Sequence, residues 1–187
     1  RTELRLDQED IMQIRYYGKI IIFIIYIMSF TKDKDSDNYA TDKQGWEMIK
    51  DFIPKDKIIW SPFYCDGKQK TIFKEMGIDT IHEDKDFFSY TPEYDIIVDN
   101  PPFSKWKDVC KKLKDLDKPF IIIAFPKVIL TKHFTNLFQD HLQIIIPKKR
   151  PTFTHLTNPK KGYTPPFGNW YMCYKMELPK DLIFLSK

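Results

Sequence analysis

The chain has 187 residues, 42% of them hydrophobic and 30% charged, which predicts one domain with a buried core. Its net charge of +4, from 30 basic and 26 acidic residues, is compatible with a nucleic-acid partner without requiring one. The three cysteines and four histidines are scattered. This spacing excludes a disulfide framework and a zinc site, predicts no bound metal, and favours a reducing compartment, the cytoplasm or the nucleus.

The N-terminal part of the chain differs from the rest. Its apolar run from Ile20 to Met28 is well short of the roughly 20 residues that a membrane helix requires, so we expect no membrane partner. Because the chain begins with Arg1 rather than Met, we expect residues 1–28 to be a non-native or disordered extension, with the natural start at Met28. Residues 29–187 are then expected to form the domain. The alternative is that the run adds an edge strand.

Beyond this extension, strand and helix patterns alternate. Thr41 and Gln44 have the spacing of a capping box, Ser104 is predicted to cap a later helix, and Gly77 to close another. The alternation predicts a single Rossmann-like α/β domain, with a mostly parallel, doubly wound sheet and a C-terminal antiparallel hairpin. We predict helices at 41–53, 68–76, 104–113 and 131–138, and strands at 57–60, 78–82, 94–98, 119–125, 142–146 and, as the last one, 170–176.

The most distinctive stretch is Asn100-Pro101-Pro102-Phe103, which follows the apolar strand at 94–98. Proline cannot donate to a strand ladder, and it forces the preceding residue towards extended geometry, so the strand ends in a stiff corner. Open α/β sheets bind their ligands at the carboxyl ends of strands. The corner resembles the Asn-Pro-Pro-aromatic motif of S-adenosylmethionine-dependent amino methyltransferases, chiefly those acting on N6 of adenine, such as compact phage or viral DNA adenine methylases. Without that resemblance, it is explained as a rigid turn.

The resemblance implies S-adenosylmethionine as the cofactor and residues 29–187 as the methyltransferase domain. The turn from Ser61 to Gly67 is similar to the family's Asp-Pro-Phe-x-Gly-x-Gly cofactor loop. It departs from that loop at Ser61, where Asp is usual, and at Cys65, where Gly is usual; Asp66 could supply the missing carboxylate. Glu83 would accept from the ribose hydroxyls. The cofactor-binding residues implied in this way are Pro62, Phe63, Tyr64, Asp66, Gly67, Glu83, Asp86, Phe87, Thr41 and Lys43.

For catalysis, the resemblance implies that the corner binds the exocyclic amine of a flipped-out adenine. The Asn100 amide oxygen and the Pro101 carbonyl would accept the two amine N–H groups, which favours a nitrogen with an available lone pair and stabilises its developing charge. Pro102 would keep the corner stiff, and Phe103 would stack on the base. The expected activity is therefore N6-adenine methylation of DNA.

A basic, proline-rich segment at 148–169 is the expected substrate side. Its cations could contact phosphates and its aromatic rings could stack on bases, although a solvated basic loop has the same composition. RNA adenine or a protein glutamine are alternative substrates, and an inactive methyltransferase-like subunit is the non-enzymatic alternative. Since no separate recognition domain is visible, sequence specificity is either slight or supplied by a partner subunit. The expected substrate-binding residues are Lys148, Lys149, Arg150, Phe153, Tyr163 and Phe167.

Overall fold

The computed structural model describes residues 37–158, 162–163 and 168–186, so the expected extension at 1–28 lies outside the described residues. Short 3-10 helices lie at Lys50–Phe52, Phe103–Lys105, Pro126–Leu130 and Gln139–His141. The α-helices are α1 (Lys43–Glu47), α2 (Lys68–Glu75), α3 (Trp106–Leu116) and α4 (Lys132–Phe138). The strands are β1 (Tyr39–Thr41), β2 (Ile59–Trp60), β3 (Thr80–Ile81), β4 (Ile96–Asp99), β5 (Phe120–Ala124), β6 (Leu142–Ile146), β7 (Phe153–His155), β8 (Gly162–Tyr163), β9 (Trp170–Tyr174) and β10 (Leu182–Phe184).

The central sheet has the strand order β10-β6-β9-β5-β4-β2-β3. The pairs β3–β2, β2–β4 and β4–β5 are parallel. Strand β9 is antiparallel to both β5 and β6. This arrangement confirms the Rossmann-like, mostly parallel sheet with an antiparallel C-terminal part. The prediction that 170–176 is the last strand is wrong, because β10 follows it and pairs in parallel with β6.

The sheet is covered by helices on both faces because successive strand residues point to opposite sides. Ile59 packs in one core, with Trp46 of α1 and Phe73 of α2. The next residue, Trp60, packs in the other core, with Leu113 of α3. Among the described helices, none is long and apolar enough to cross a membrane.

Two predicted helix caps are wrong. Thr41 belongs to strand β1, and helix α1 starts after Asp42 with no side-chain cap. Helix α3 starts after Lys105, while the Ser104 hydroxyl donates to the Asp37 carboxylate instead. The predicted closure of α2 is confirmed, since Gly77 has a φ of +73°. The two failed caps share a cause: a hydroxyl near a helix start can be recruited by tertiary partners as readily as by the helix.

The segment expected to be a basic loop instead contains strands. β7 pairs antiparallel with β1 on one side and with β8 on the other, which makes a second, three-stranded sheet. Phe153 of β7 is 4% exposed and packs in the core beneath α1 and α2. The expectation that Phe153 stacks on bases is therefore corrected: its ring is part of the protein core.

Candidate active site

The central sheet reverses its strand order at β2, because β3 lies on one side of β2 and β4 on the other. Such switch points open a crevice outside the carboxyl ends of the strands. A cavity of about 130 Å³ lies there, between the turn after β2, the corner after β4 and the strand pair β1 and β7. Its lining residues are Tyr39, Ala40, Thr41, Asp42, Lys43, Phe63, Tyr64, Cys65, Asp66, Lys68, Gln69, Ile72, Asp99, Asn100 and Thr154.

The turn after β2 keeps a glycine-like conformation although it lacks one of the expected glycines. Cys65 has a φ of +54° and Gly67 a φ of +75°, both in the left-handed region. Non-glycine residues avoid that region at a cost of about 1–2 kcal/mol. A Cβ atom at Gly67 would lie 2.7 Å from the Tyr64 hydroxyl oxygen, so a larger residue there would displace this ring as well as strain the backbone. Cys65, in contrast, adopts at some cost the left-handed conformation that a glycine would adopt freely.

Ser61 is buried at the start of this turn, where the resemblance would place an aspartate. Its hydroxyl donates to the Val98 carbonyl at 2.8 Å and accepts from the Gln69 amide at 3.0 Å. Its own carbonyl lies 2.8 Å from Nδ1 of His82, whose pKa is lowered mainly by burial. Ser61 thus joins β2, β4 and α2 through neutral hydrogen bonds, and it brings no negative charge to the cavity.

Asp99, at the end of β4, was not assigned a role from the sequence. It is 1% exposed, and its two oxygens accept from the backbone N–H groups of Phe63, at 2.6 Å, and Asn100, at 2.7 Å. Burial raises the pKa of its carboxyl to about 8, while the hydrogen bonds from these two N–H groups and from Gln69 oppose the shift. A single carboxyl group therefore connects the turn after β2 to the corner after β4. The available signal was an aspartate in an otherwise apolar strand.

The corner itself presents an unpartnered acceptor. Asn100 lines the cavity, and its side-chain oxygen is buried with no hydrogen-bond partner among the described residues. Pro101 is buried behind it. Phe103 is partly buried and stacks on Phe125 with ring centroids 4.1 Å apart, so one face of the Phe103 ring is already occupied. The corner therefore combines a proline-stiffened backbone with a buried acceptor oxygen that has no partner among the described residues.

Thr41 and Lys43 also line this cavity. The Thr41 hydroxyl is buried and has no partner among the residues described. Lys43 pairs with the exposed Glu75 carboxylate at 2.8 Å, which raises the pKa of Lys43. Asp66, the expected replacement carboxylate, pairs with Lys68 at 2.7 Å. Both predicted charges thus reach the cavity wall but already have partners there.

The residues predicted after β3 lie elsewhere. Glu83 is exposed and accepts from the Tyr90 hydroxyl at 2.8 Å, and Asp86 is exposed; neither lines the cavity. Phe87 is 3% exposed, with its ring centroid 4.9 Å from that of Phe63. The expectation that Phe87 contacts a cofactor ring is corrected, because the ring packs in the core and reaches the cavity only through Phe63.

The predicted substrate cations lie on the surface just before β7. Lys148, Lys149 and Arg150 are exposed, and Lys148 donates to the Ser186 carbonyl at 3.3 Å. The side chain of Tyr163 and all of Phe167 lie outside the described residues. The neighbouring β7 does reach the cavity: Thr154 lines it and donates to Asp42 at 2.6 Å.

Comparison with known proteins gives one informative relative. No family model matches the chain. The chain is similar to the type II methyltransferase M.EcoRI of Escherichia coli, with 30% identity over 108 residues. The match covers 55% of this chain and 32% of M.EcoRI, so the chain spans about a third of the length of that relative. Among solved structures, precorrin-6y C5,15-methyltransferase from Geobacter metallireducens GS-15 matches with a TM-score of 0.40 and 10% identity, over 75% of this chain and 95% of that one. A likeness of that size leaves function open.

Proposed function

We propose that this chain is an S-adenosylmethionine-dependent methyltransferase that methylates the exocyclic N6 amine of adenine in DNA. The observation that carries the proposal is the buried, unpartnered side-chain oxygen of Asn100, which lines the cavity beside the turn after β2. The similarity to M.EcoRI, a type II methyltransferase, supports the same class of activity. Because that similarity covers only part of M.EcoRI, the proposal depends on the residues of this chain itself.

The residues around the cavity fit the proposed cofactor. The turn after β2 has two left-handed residues, Cys65 and Gly67, which let backbone N–H groups approach a ligand closely. Thr41, whose buried hydroxyl has no partner among the described residues, lines the same cavity as this turn. We propose that Phe63, Tyr64 and the Thr41–Lys43 segment hold the cofactor. Glu83, which lies outside the cavity lining, is proposed to release the hydrogen bond that it accepts from Tyr90 and to accept from the ribose hydroxyls of the cofactor instead.

Held by these residues, S-adenosylmethionine would supply a methyl group for the amine nitrogen; the electron pair of the former C–S bond would stay on sulfur, and the amine would lose one proton to solvent. The protein holds the amine. Asn100 and the Pro101 carbonyl accept its N–H groups and favour the charge that develops on nitrogen. Phe103 is proposed to stack on the base, and such stacking is worth roughly 1–3 kcal/mol. Asn100 and Pro101 position the amine without acting as a strong base.

DNA is the proposed substrate because exposed cations at 148–150 precede β7, whose Thr154 lines the cavity. Phosphates bound there would lie on the side from which a flipped base enters. We also propose that a partner subunit supplies the target specificity.

The test is incubation of the purified protein with methyl-labelled S-adenosylmethionine and, separately, double-stranded DNA, RNA and a protein mixture. We expect label in DNA, recovered as N6-methyladenine after digestion. Label in RNA or in protein glutamine would keep the methyltransferase class and overturn the DNA assignment. No transfer to any substrate, together with no binding of S-adenosylhomocysteine, would leave an inactive subunit and overturn the proposed activity.

A further inference from the structure

The end of β4 places one acidic side chain between two loops. The two oxygens of Asp99 are shared: one accepts from Phe63 in the turn after β2, and the other accepts from Asn100 in the corner after β4. The bond from Asn100, at 2.7 Å, is at the short end of the N–H···O range of about 2.7–3.2 Å, and the bond from Phe63, at 2.6 Å, is shorter still.

Ser61 cannot perform this task. Its hydroxyl already donates to Val98 and accepts from Gln69 and Thr80, so it has no acceptor to offer the turn that follows it. The family resemblance would place a carboxylate at Ser61, at the end of β2. In this chain the carboxyl group stands one strand away, at the end of the neighbouring β4, and reaches the same turn from the side.

We propose that Asp99 is a positioning residue that fixes the cofactor turn and the Asn100 corner relative to each other. The proposal rests on the methyltransferase function proposed above and extends it. A mismatch of about 1 Å between donor and acceptor groups can reduce a rate by a factor on the order of 100. Asp99 limits this mismatch because it bonds directly to the amide of Asn100 and to the amide of Phe63.

The two hydrogen bonds that Asp99 accepts depend on the chemistry of its carboxyl group. Removing a carboxyl group from water disfavours its charged form, and the pKa of Asp99 is raised to about 8 for this reason. A neutral side chain of the same size would avoid that cost at the same position. Asparagine, however, has one acceptor oxygen, and its NH2 group would face a backbone N–H donor. Only the ionised carboxylate offers a full acceptor at both ends, because the protonated carboxyl group, like asparagine, carries a donor on one side.

The test compares Asp99→Asn with Asp95→Asn. Asp95 is the control because it immediately precedes the same strand and accepts from the backbone N–H of Ile58 at 2.8 Å. Amide hydrogen exchange by NMR and S-adenosylhomocysteine affinity by calorimetry are measured for both. We expect Asp99→Asn to fold, to speed exchange at Phe63 and Asn100 by at least about 10-fold, and to weaken S-adenosylhomocysteine binding. Asp95→Asn should affect exchange at Ile58 and leave binding unchanged.

Unchanged exchange at either Phe63 or Asn100 in Asp99→Asn would overturn the proposal, as would unchanged affinity beside faster exchange. If the wild-type protein binds no S-adenosylhomocysteine, the proposed function fails, while the exchange data still decide the role of Asp99. Should Asp99→Asn not fold, the wild-type protein is titrated instead. The carboxyl carbon of Asp99 and the two amide protons should then shift with one common midpoint, and separate midpoints would overturn the link.

Discussion

Two segments line the same cavity and are held in place by different forces. The turn after β2 is held by individual side chains: Asp99 binds its backbone, and Tyr64 lies over Gly67. The β7 segment is held by main-chain pairing with β1 and by the burial of Phe153. The difference teaches where single substitutions should act. Changes near the turn should alter binding and catalysis, whereas changes beneath β7 should alter stability.

The largest expected effect is on stability, from Phe153→Ala. Phe153 is 4% exposed, and truncation of a buried phenylalanine costs about 3–5 kcal/mol of folding free energy. Urea denaturation measures this loss. Phe184→Ala is the matched control, because Phe184 is 68% exposed and its truncation should change stability by about 0.5 kcal/mol or less. A stable Phe153→Ala protein with weakened DNA binding would instead restore Phe153 to the substrate surface.

In the corner after β4, the substitution Asn100→Ala should reduce the rate of methyl transfer. Loss of a preorganised polar contact to a developing charge costs roughly 100-fold or more in rate, so methyl transfer to DNA should fall by at least that factor. S-adenosylhomocysteine affinity should stay close to the wild-type value, because the substitution leaves Phe63 and Tyr64 in place. Asn136→Ala, a change in an exposed asparagine of α4, should leave the rate unaltered. Loss of cofactor affinity in Asn100→Ala would contradict the assigned role.

The fold followed from the sequence because hydrophobic periodicity is a local signal. The predicted strand 142–146 has the same bounds as β6, and the alternation of helix and strand predicted that the sheet is mostly parallel. The β1–β7 pair was missed because its strands have three residues each and lie far apart in the chain. Basic and proline residues around β7 hid a strand whose only apolar anchor is Phe153.

The site was predictable only in part, for a similar reason. Motif order led to the turn and to Asn100, and both line the cavity. The bridging role of Asp99 depends on two strands being neighbours, which no local pattern encodes. Glu83 and Phe87 were assigned by order along the chain, but their side chains are set by tertiary partners, Tyr90 and Phe63.

A smaller effect is expected from charge removal beside β7. Replacing Lys148, Lys149 and Arg150 together by Ala should weaken DNA binding and lower the slope of log affinity against log salt by up to about 0.9 per lost phosphate contact. The control removes three lysines from a groove at the start of β2 and β3, at Lys55, Lys57 and Lys70. Equal losses in both triple variants would mean that net charge, and not this surface, drives the binding.

The smallest expected effect comes from Cys65→Gly, which tests whether the turn after β2 depends on its backbone conformation or on the thiol of Cys65. Cys65 adopts a φ of +54°, which costs a non-glycine residue about 1–2 kcal/mol. Cys65→Gly removes that cost but increases the freedom of the unfolded chain, which offsets about 0.4–1 kcal/mol of it. The net gain in the free energy of unfolding should therefore be about 1 kcal/mol or less, as measured by urea denaturation.

Glu177→Gly is the matched control for Cys65→Gly, since Glu177 is exposed and has a φ of +52°. Both variants should gain similar stability, because both relieve the same backbone conformation. S-adenosylhomocysteine affinity should be kept or improved in Cys65→Gly and unaltered in Glu177→Gly, since the φ at Cys65 is already the one that glycine would adopt. Weaker binding in Cys65→Gly would show that the thiol itself contacts the ligand, and that this turn departs from the glycine pattern in chemistry as well as in sequence.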